Sequence, residues 1–83
     1  MIEVTGVRHI QDYKLRLEFS DGTSGSVDLE HDLEGEVFGP LKDKNLFASV
    51  HLDRELGTIA WPNGADLAPE YLKSIAENWK ESA

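Results

Sequence analysis

The sequence predicts an α+β fold in a single domain over residues 1–83, with a mostly antiparallel sheet of about five strands and one C-terminal amphipathic helix packed on it. Three observations support this prediction. Residues 13 to 19 alternate apolar and polar side chains, as a half-buried strand does. Two pairs of apolar segments are separated by short turn-forming loops, and residues 67 to 81 carry apolar side chains at helical spacing. The strands therefore form two hairpins plus an N-terminal strand.

The N-terminal strand is predicted over residues 2 to 10. Its apolar alternation is interrupted at Gly6, and such an interruption is typical of a β-bulge or bend. The strand at residues 13 to 19 has a clearer pattern, because its odd-numbered side chains are apolar and its even-numbered side chains are charged. We expect the odd-numbered face to lie on the core.

The first hairpin joins that strand, residues 13 to 19, to a strand at residues 23 to 30. A two-residue loop would set apolar against polar side chains, whereas a three-residue loop ending at Gly22 places Leu15 opposite Val27. The pairing therefore predicts a type I turn in which Gly22 adopts the left-handed region as a bulge.

The second hairpin is predicted from Val50 and Leu52, which can oppose Trp61 and Ile59 across a four-residue loop that ends at Gly57. A short helical turn near residues 43 to 48 precedes it. The apolar residues of the intervening connection are expected to dock on the core: Val37, Phe38, Leu41, Leu46 and Phe47.

Conformationally special residues follow the last strand. Pro62 ends the strand by removing a hydrogen-bond donor, while Asn63 and Gly64 accept a positive φ. Asp66 is predicted to cap a helix that Pro69 helps to start. This segment is therefore interpreted as a strand that turns into a helix.

The C-terminal helix is predicted over residues 67 to 81. Its apolar stripe faces the last hairpin, so Trp61 is interpreted as a core anchor rather than a ligand platform. The stripe contains Leu72, Ile75 and Trp79, joined by Tyr71 and Ala76.

Composition narrows the function classes. The chain has no cysteine, no apolar stretch near the roughly 20 residues of a membrane span and no secretory signal, so the sequence predicts a cytoplasmic protein with no membrane partner. Its formal net charge of -8 disfavours direct nucleic-acid binding and suits a small basic protein partner. Solubility alone is the competing explanation of that charge. Small size and open sheet edges favour a homodimer.

Alternating carboxylates follow the third strand. Their period of two places them on one side for as long as the chain stays extended. Counted from Asp28, the EF-hand positions for glycine and glutamate hold Leu33 and Gly39, so the calcium motif fails. A solvated strand face and loop is the preferred interpretation. A protein-binding acidic patch is the second alternative and metal binding the third. The carboxylates are Asp28, Glu30, Asp32, Glu34 and Glu36.

Catalytic and metal motifs are absent from the sequence. The three histidines His9, His31 and His51 lie far apart without a zinc-binding pattern, and no serine has the context of a hydrolase nucleophile. The glycines are scattered as turn residues rather than clustered as a phosphate loop. The sequence therefore predicts no catalytic residues, no bound metal and no cofactor.

Several motifs spread along the chain resemble the bacterial Domain of Unknown Function 2442 family. The resemblance implies a small α+β domain without established catalysis or cofactor, in some relatives followed by a helix-turn-helix domain. It also implies a gene that often neighbours another small protein, in an arrangement like a toxin and antitoxin pair. Because the sequence ends at Ala83, we expect no helix-turn-helix domain here and no direct DNA binding. The motifs are Asp12-Tyr13, Leu15-x-Leu17-x-Phe19-x-Asp21-Gly22, Val27-Asp28-Leu29, Phe38-x-x-Leu41-x-Asp43, Phe47 followed by Val50, and Ile59-x-Trp61-Pro62-Asn63-Gly64-Ala65-Asp66-Leu67-Ala68-Pro69.

Three functions compete at this point. The leading hypothesis is a non-enzymatic, antitoxin-like interaction module that binds a small basic protein. The alternatives are a dimerisation or sensing domain in DNA-linked regulation, and an enzyme that binds a metal or small molecule through Trp61, Asn63, Asp66 and His51. The candidate interaction surface contains Asp28, Glu30, Asp32, Asn63 and Asp66.

Overall fold

The computed structural model describes residues 1–81, and for residues 77–81 it describes the backbone alone. Within that range, strands and helices combine in the predicted α+β class, which is confirmed. The strands are β1 (Val4–Gln11), β2 (Lys14–Phe19), β3 (Thr23–Asp28), β4 (His51–Asp53), β5 (Thr58–Ala60) and β6 (Glu77–Glu81). The helices are α1 (Gly35–Phe38), α2 (Lys44–Ala48) and α3 (Pro69–Ile75), and 3-10 helices lie at Glu30–Asp32 and Gly39–Lys42.

Two antiparallel sheets contain these strands. One has the order β1-β2-β3-β6, and the other pairs β4 with β5. The N-terminal strand shows a register shift between Val4 and Gly6, which confirms the predicted bulge. At the start of β1, the Val4 N–H donates to the carbonyl of Gly57 at 2.9 Å and so connects the first sheet to the second hairpin.

The first hairpin has the predicted register. Leu15 pairs with Val27, Leu17 pairs with Gly25, and Gly22 has a φ of 88°. The side chains of Leu15, Leu17 and Val27 are buried, since they share the face of the sheet that carries the core. The parity argument is confirmed.

Replacing Gly22 with alanine is expected to lower the free energy of unfolding by about 1 to 2 kcal/mol, because a Cβ is disfavoured in the left-handed region. No atom lies within 4 Å of the added Cβ, so backbone strain is the whole effect. Gly39→Ala is the matched control, since Gly39 has a φ of -53° and equally open surroundings. Urea denaturation of both variants checks the prediction, and equal losses of stability would contradict it.

The second hairpin matches its prediction in part, because its pairing ends at His51 and Ala60, and Val50 and Trp61 lie outside the two strands. Leu52 pairs with Ile59 across the four-residue loop, and Gly57 has a φ of 69°. The loop is closed by Asp53, whose Oδ1 accepts the backbone N–H groups of Glu55 and Leu56 at 3.0 Å each. This hairpin forms its own small sheet beside β1.

The C-terminal helix is shorter than predicted. It begins at Pro69 rather than at residue 67 and ends at Ile75, because Ala76 is extended and β6 then pairs with β3. The prediction of a helix to residue 81 was wrong, since helical periodicity took no account of the open edge of β3, which offers backbone partners. Trp79 lies in β6, where side chains are outside the described part of the structure.

The core lies between the first sheet, the second hairpin and the helices. Trp61 is buried at 2% exposure, and its indole N–H donates to the carbonyl of Phe47 at 2.9 Å, so its predicted role as a core anchor is confirmed. The predicted docking of Val37 was wrong, because that side chain is 48% exposed. The core contains Val4, Leu15, Leu17, Phe19, Val27, Leu29, Leu33, Leu41, Phe47, Ile59, Trp61, Ala65, Leu72 and Ala76.

A salt bridge joins the first hairpin to α3. The Lys73 ammonium lies 2.5 Å from the Asp21 carboxylate, which also accepts the Thr23 N–H at 3.0 Å. The hydrogen bond from Lys73 has the largest effect, and together with the bonds from Thr23 it holds the pKa of Asp21 well below its ordinary value of 3.8. A carboxylate of this kind stabilises the fold above its unfolded pKa, and the stabilisation is lost as the pH falls toward the folded pKa.

Asp21→Asn is therefore expected to unfold at a lower temperature than the unchanged protein at neutral pH. The gap between the two unfolding temperatures should narrow as the pH drops below about 4, because the carboxyl becomes protonated first in the unfolded state. Thermal unfolding followed by circular dichroism between neutral and acid pH measures the gap. A gap that stays constant or widens in acid would refute this role for Asp21.

Candidate functional site

The acidic segment after β3 is helical rather than extended. It forms the 3-10 helix Glu30–Asp32 and then α1, and the Asp28 carboxylate accepts the Glu30 N–H at 3.0 Å. Leu29 and Leu33 are buried completely and fix this segment to the core. The carboxylates were predicted to share one side for as long as the chain stays extended, and that condition is not met beyond Leu29, where the 3-10 helix begins. A period of two therefore does not describe their arrangement.

Asp32 binds Tyr71 and thereby joins the acidic segment to α3. The Tyr71 hydroxyl donates to the Asp32 carboxylate. This hydrogen bond, followed by partial burial and the Asp32 charge, raises the pKa of Tyr71 above its ordinary value. The ring of Tyr71 remains 38% exposed beside the carboxylates. A partly apolar side chain is thus held in place among acidic groups.

Asn63 joins the same region from the turn after β5. Its Oδ1 accepts the Ala65 N–H at 3.1 Å, and its Nδ2 donates to the carbonyl of Val37 at 2.9 Å. Its φ is not positive, contrary to the prediction, since Gly64 alone supplies the left-handed residue of this turn, with a φ of 91°. Asn63 therefore positions Val37, the residue that follows the acidic segment.

Asp66 does not cap α3, contrary to the prediction. The residue before the helix is Ala68, which makes no side-chain capping bond, and Asp66 instead bridges to Ala60 in an isolated β-bridge. The turn closes before Asp66 because the Trp61 N–H donates to the carbonyl of Ala65 at 2.9 Å. In the described part of the chain, no hydrogen bond joins the exposed Asp66 carboxylate to the acidic segment.

We call the resulting surface the acidic face. It comprises the carboxylates of residues 28 to 36 and the exposed side chains of Val37 and Tyr71. Asp32 accepts the Tyr71 hydroxyl, and the Asn63 side chain donates to the carbonyl of Val37. Sequence reasoning missed both apolar members, since it assigned them to the core. The exposure of Tyr71 had one signal in the sequence, because Tyr71 directly precedes Leu72 and therefore lies at the margin of the apolar stripe of the C-terminal helix. The acidic face contains Asp28, Glu30, Asp32, Glu34, Glu36, Val37 and Tyr71.

The residues suggested for a ligand-binding enzyme are not assembled into a site. Trp61 is buried in the core, both ends of the Asn63 side chain are hydrogen-bonded, and His51 stands on β4. Among the described residues, no three His, Cys, Asp or Glu side chains are grouped closely enough to hold a metal ion. In the described part of the chain, these residues therefore do not converge on one cleft.

These features define a small α+β domain with a pre-formed acidic surface. The chain belongs to the family described as Protein of unknown function (DUF2442), whose model matches residues 4–78. No curated protein matches the chain, and no solved structure matches it. Over the described residues, no helix has the length and apolar character needed to cross a membrane.

Proposed function

We propose that this chain is a non-enzymatic interaction module that binds a small basic protein through the acidic face. The observation that carries the proposal is that Val37 and Tyr71 are exposed apolar or aromatic side chains next to carboxylates: Val37 follows Glu36 in sequence, and Tyr71 is hydrogen-bonded to Asp32. Protein interfaces are typically built from apolar or aromatic anchors surrounded by a polar rim. The anchors would contribute affinity, and the carboxylates would select a cationic partner.

The acidic face is held in one conformation before any partner binds. Leu29 and Leu33 anchor its backbone, Asp32 fixes the Tyr71 hydroxyl, and Asn63 fixes the carbonyl of Val37. Pre-organisation of this kind lowers the entropy cost of association. The net charge of -8 would also accelerate the encounter with a basic protein.

We further propose that the interaction module has an antitoxin-like role, for which there is only one line of support. It rests on the gene arrangement that the family resemblance implies, in which a second small protein is encoded nearby. We also propose a cytoplasmic location, since a chain without cysteine suits a reducing compartment.

Co-purification with the product of the neighbouring gene tests the proposal. We expect a complex that survives gel filtration at low ionic strength and dissociates as salt is raised, because exposed charges are screened within about 8 Å at physiological salt. A partner that remains bound regardless of salt would argue against an electrostatic interface. Failure of the two proteins to associate at low salt would overturn the antitoxin-like role.

A further inference from the structure

Two arginines stand opposite each other on the outer face of the first sheet. Arg8 of β1 pairs directly with Arg16 of β2, and both side chains are exposed. They lie on the face away from the core, because the neighbouring residues Leu15 and Leu17 point inward. Like charges at directly opposed positions destabilise an antiparallel pair. The fold alone therefore gives no reason for this arrangement.

Nearby carboxylates do not neutralise the pair. The salt bridges found among the described side chains are Lys44–Asp12 and Lys73–Asp21, and neither involves an arginine. Arg16 donates to the Ser24 hydroxyl at 3.0 Å. In a chain with 16 acidic residues, two arginines paired across strands, neither with a salt bridge to a carboxylate in the described part of the structure, are unexpected. Local conflicts of this kind mark functional sites.

A groove of about 320 Å³ lies beside the two arginines and is lined by Gly6, Val7, Arg8, Arg16 and Glu18. Its shape depends on the absence of a side chain at Gly6, since a Cβ there would lie 2.5 Å from the Oε1 of Glu18. The Glu18 side chain therefore folds against β1 and forms one wall of the groove. The volume falls within the roughly 300 to 1,000 Å³ of small-molecule sites.

We propose that this groove binds a small molecule through an oxyanion group, either a carboxylate or a phosphate, held between Arg8 and Arg16. Guanidinium groups match the planar, bidentate geometry of such groups better than any other side chain. Glu18 accepts a hydrogen bond from a hydroxyl or ammonium group of the same ligand, which disfavours molecules that are anionic throughout. Arg8, Arg16 and Glu18 are not members of the acidic face, so the inference does not depend on the proposed function.

Nuclear magnetic resonance titrations test the site at constant ionic strength with inorganic phosphate, acetate and glycine as probes. We expect saturable shifts of the Arg8 and Arg16 side-chain N–H signals. Tighter binding of phosphate would identify a phosphate ligand, and tighter binding of acetate or glycine a carboxylate ligand. Shifts that rise linearly with every probe would overturn the proposal.

Arg8→Gln and Arg16→Gln are each expected to weaken probe binding at least tenfold, as the loss of a charge-assisted bidentate contact should. Arg54→Gln is the matched control, because Arg54 is an exposed arginine in the β4–β5 loop. Equal weakening in the control would show that binding follows overall charge, and would overturn the site.

Thermal unfolding provides a second measurement on the same variants. Arg8→Gln should unfold roughly 1 to 5 °C above the unchanged protein in the absence of ligand, because it relieves the opposed charges. Arg54→Gln should not show this gain. A lower unfolding temperature for Arg8→Gln would mean that the pair serves stability, and would contradict the inference.

Discussion

Trp61→Ala is expected to lower the free energy of unfolding by about 3 to 5 kcal/mol, the range typical of an aromatic side chain removed from a core. Trp61 is buried at the junction of the second hairpin and the rest of the core, with its ring centroid 5.7 Å from that of Phe47. A domain of this size has a total stability on the order of 4 to 12 kcal/mol. The variant should therefore be only marginally folded at room temperature.

Trp61→Phe separates the hydrogen bond from the bulk of the ring. It keeps an aromatic side chain but removes the indole N–H, which leaves the carbonyl of Phe47 without that donor. The same carbonyl also accepts the Val50 N–H at 3.3 Å, so we expect a loss of about 0.5 to 1.5 kcal/mol, the net contribution of one hydrogen bond. Leu56→Ala is the control, since Leu56 is 55% exposed and its truncation should change stability by less than about 0.5 kcal/mol.

Urea denaturation followed by far-ultraviolet circular dichroism measures all three variants. We expect the largest loss of stability for Trp61→Ala, a smaller loss for Trp61→Phe and the smallest for Leu56→Ala. A loss below about 1 kcal/mol for Trp61→Ala would contradict the assignment of Trp61 as a core anchor.

Neutralising Glu30 and Glu34 together is expected to weaken binding of the basic partner about tenfold at low salt. Both side chains are exposed on the acidic face. Exposed charge pairs contribute roughly 0.2 to 1 kcal/mol each, and two of them approach the 1.4 kcal/mol that corresponds to tenfold in affinity. The double variant Glu30→Gln/Glu34→Gln removes these charges and keeps side chains of nearly the same shape.

The matched control is Glu3→Gln/Glu55→Gln, which removes the same charge from exposed positions outside the acidic face. Isothermal titration at low and high salt compares both double variants with the unchanged protein. The difference between them should shrink as salt shortens the range of electrostatic interactions from about 10 Å at 0.1 M to about 3 Å at 1 M. Equal weakening by the control would assign the effect to net charge rather than to the acidic face.

The hairpins were predictable because their determinants are local. The alternation of apolar residues and the parity of the loop fix which residues oppose each other, so the pairing of Leu15 with Val27 followed from sequence. Positive φ values at Gly22 and Gly57 followed from the same loop geometry. In both hairpins one buried face and one short loop leave a single register.

The end of the C-terminal helix and the shape of the acidic segment were not predictable in this way. The backbone of residues 77–81 pairs with β3. The spacing of apolar side chains contains no information about an open sheet edge formed by a distant part of the chain. The acidic segment depends on the burial of Leu29 and Leu33, which turns the chain away from an extended path. Both outcomes arise from contacts between distant parts of the chain.

The candidate surface was only partly predictable for the same reason. Asp28, Glu30 and Asp32 could be identified from the sequence because charged side chains are rarely buried. The contribution of Tyr71 depends on its bond to Asp32, which is 39 positions away in sequence. Asn63 was identified as a turn residue, but its bond to the carbonyl of Val37 required the tertiary structure.

Mapping the bound partner by nuclear magnetic resonance tests most directly whether the acidic face is the interface. Backbone amide shifts of the isotope-labelled chain are recorded as the neighbouring gene product is added at low salt. We expect the largest changes at residues 28 to 37 and at Tyr71, with little change at Arg8, Arg16 and Ser24 on the outer face of the first sheet. Changes concentrated on that outer face, with residues 28 to 37 unaffected, would contradict the proposed mode of binding.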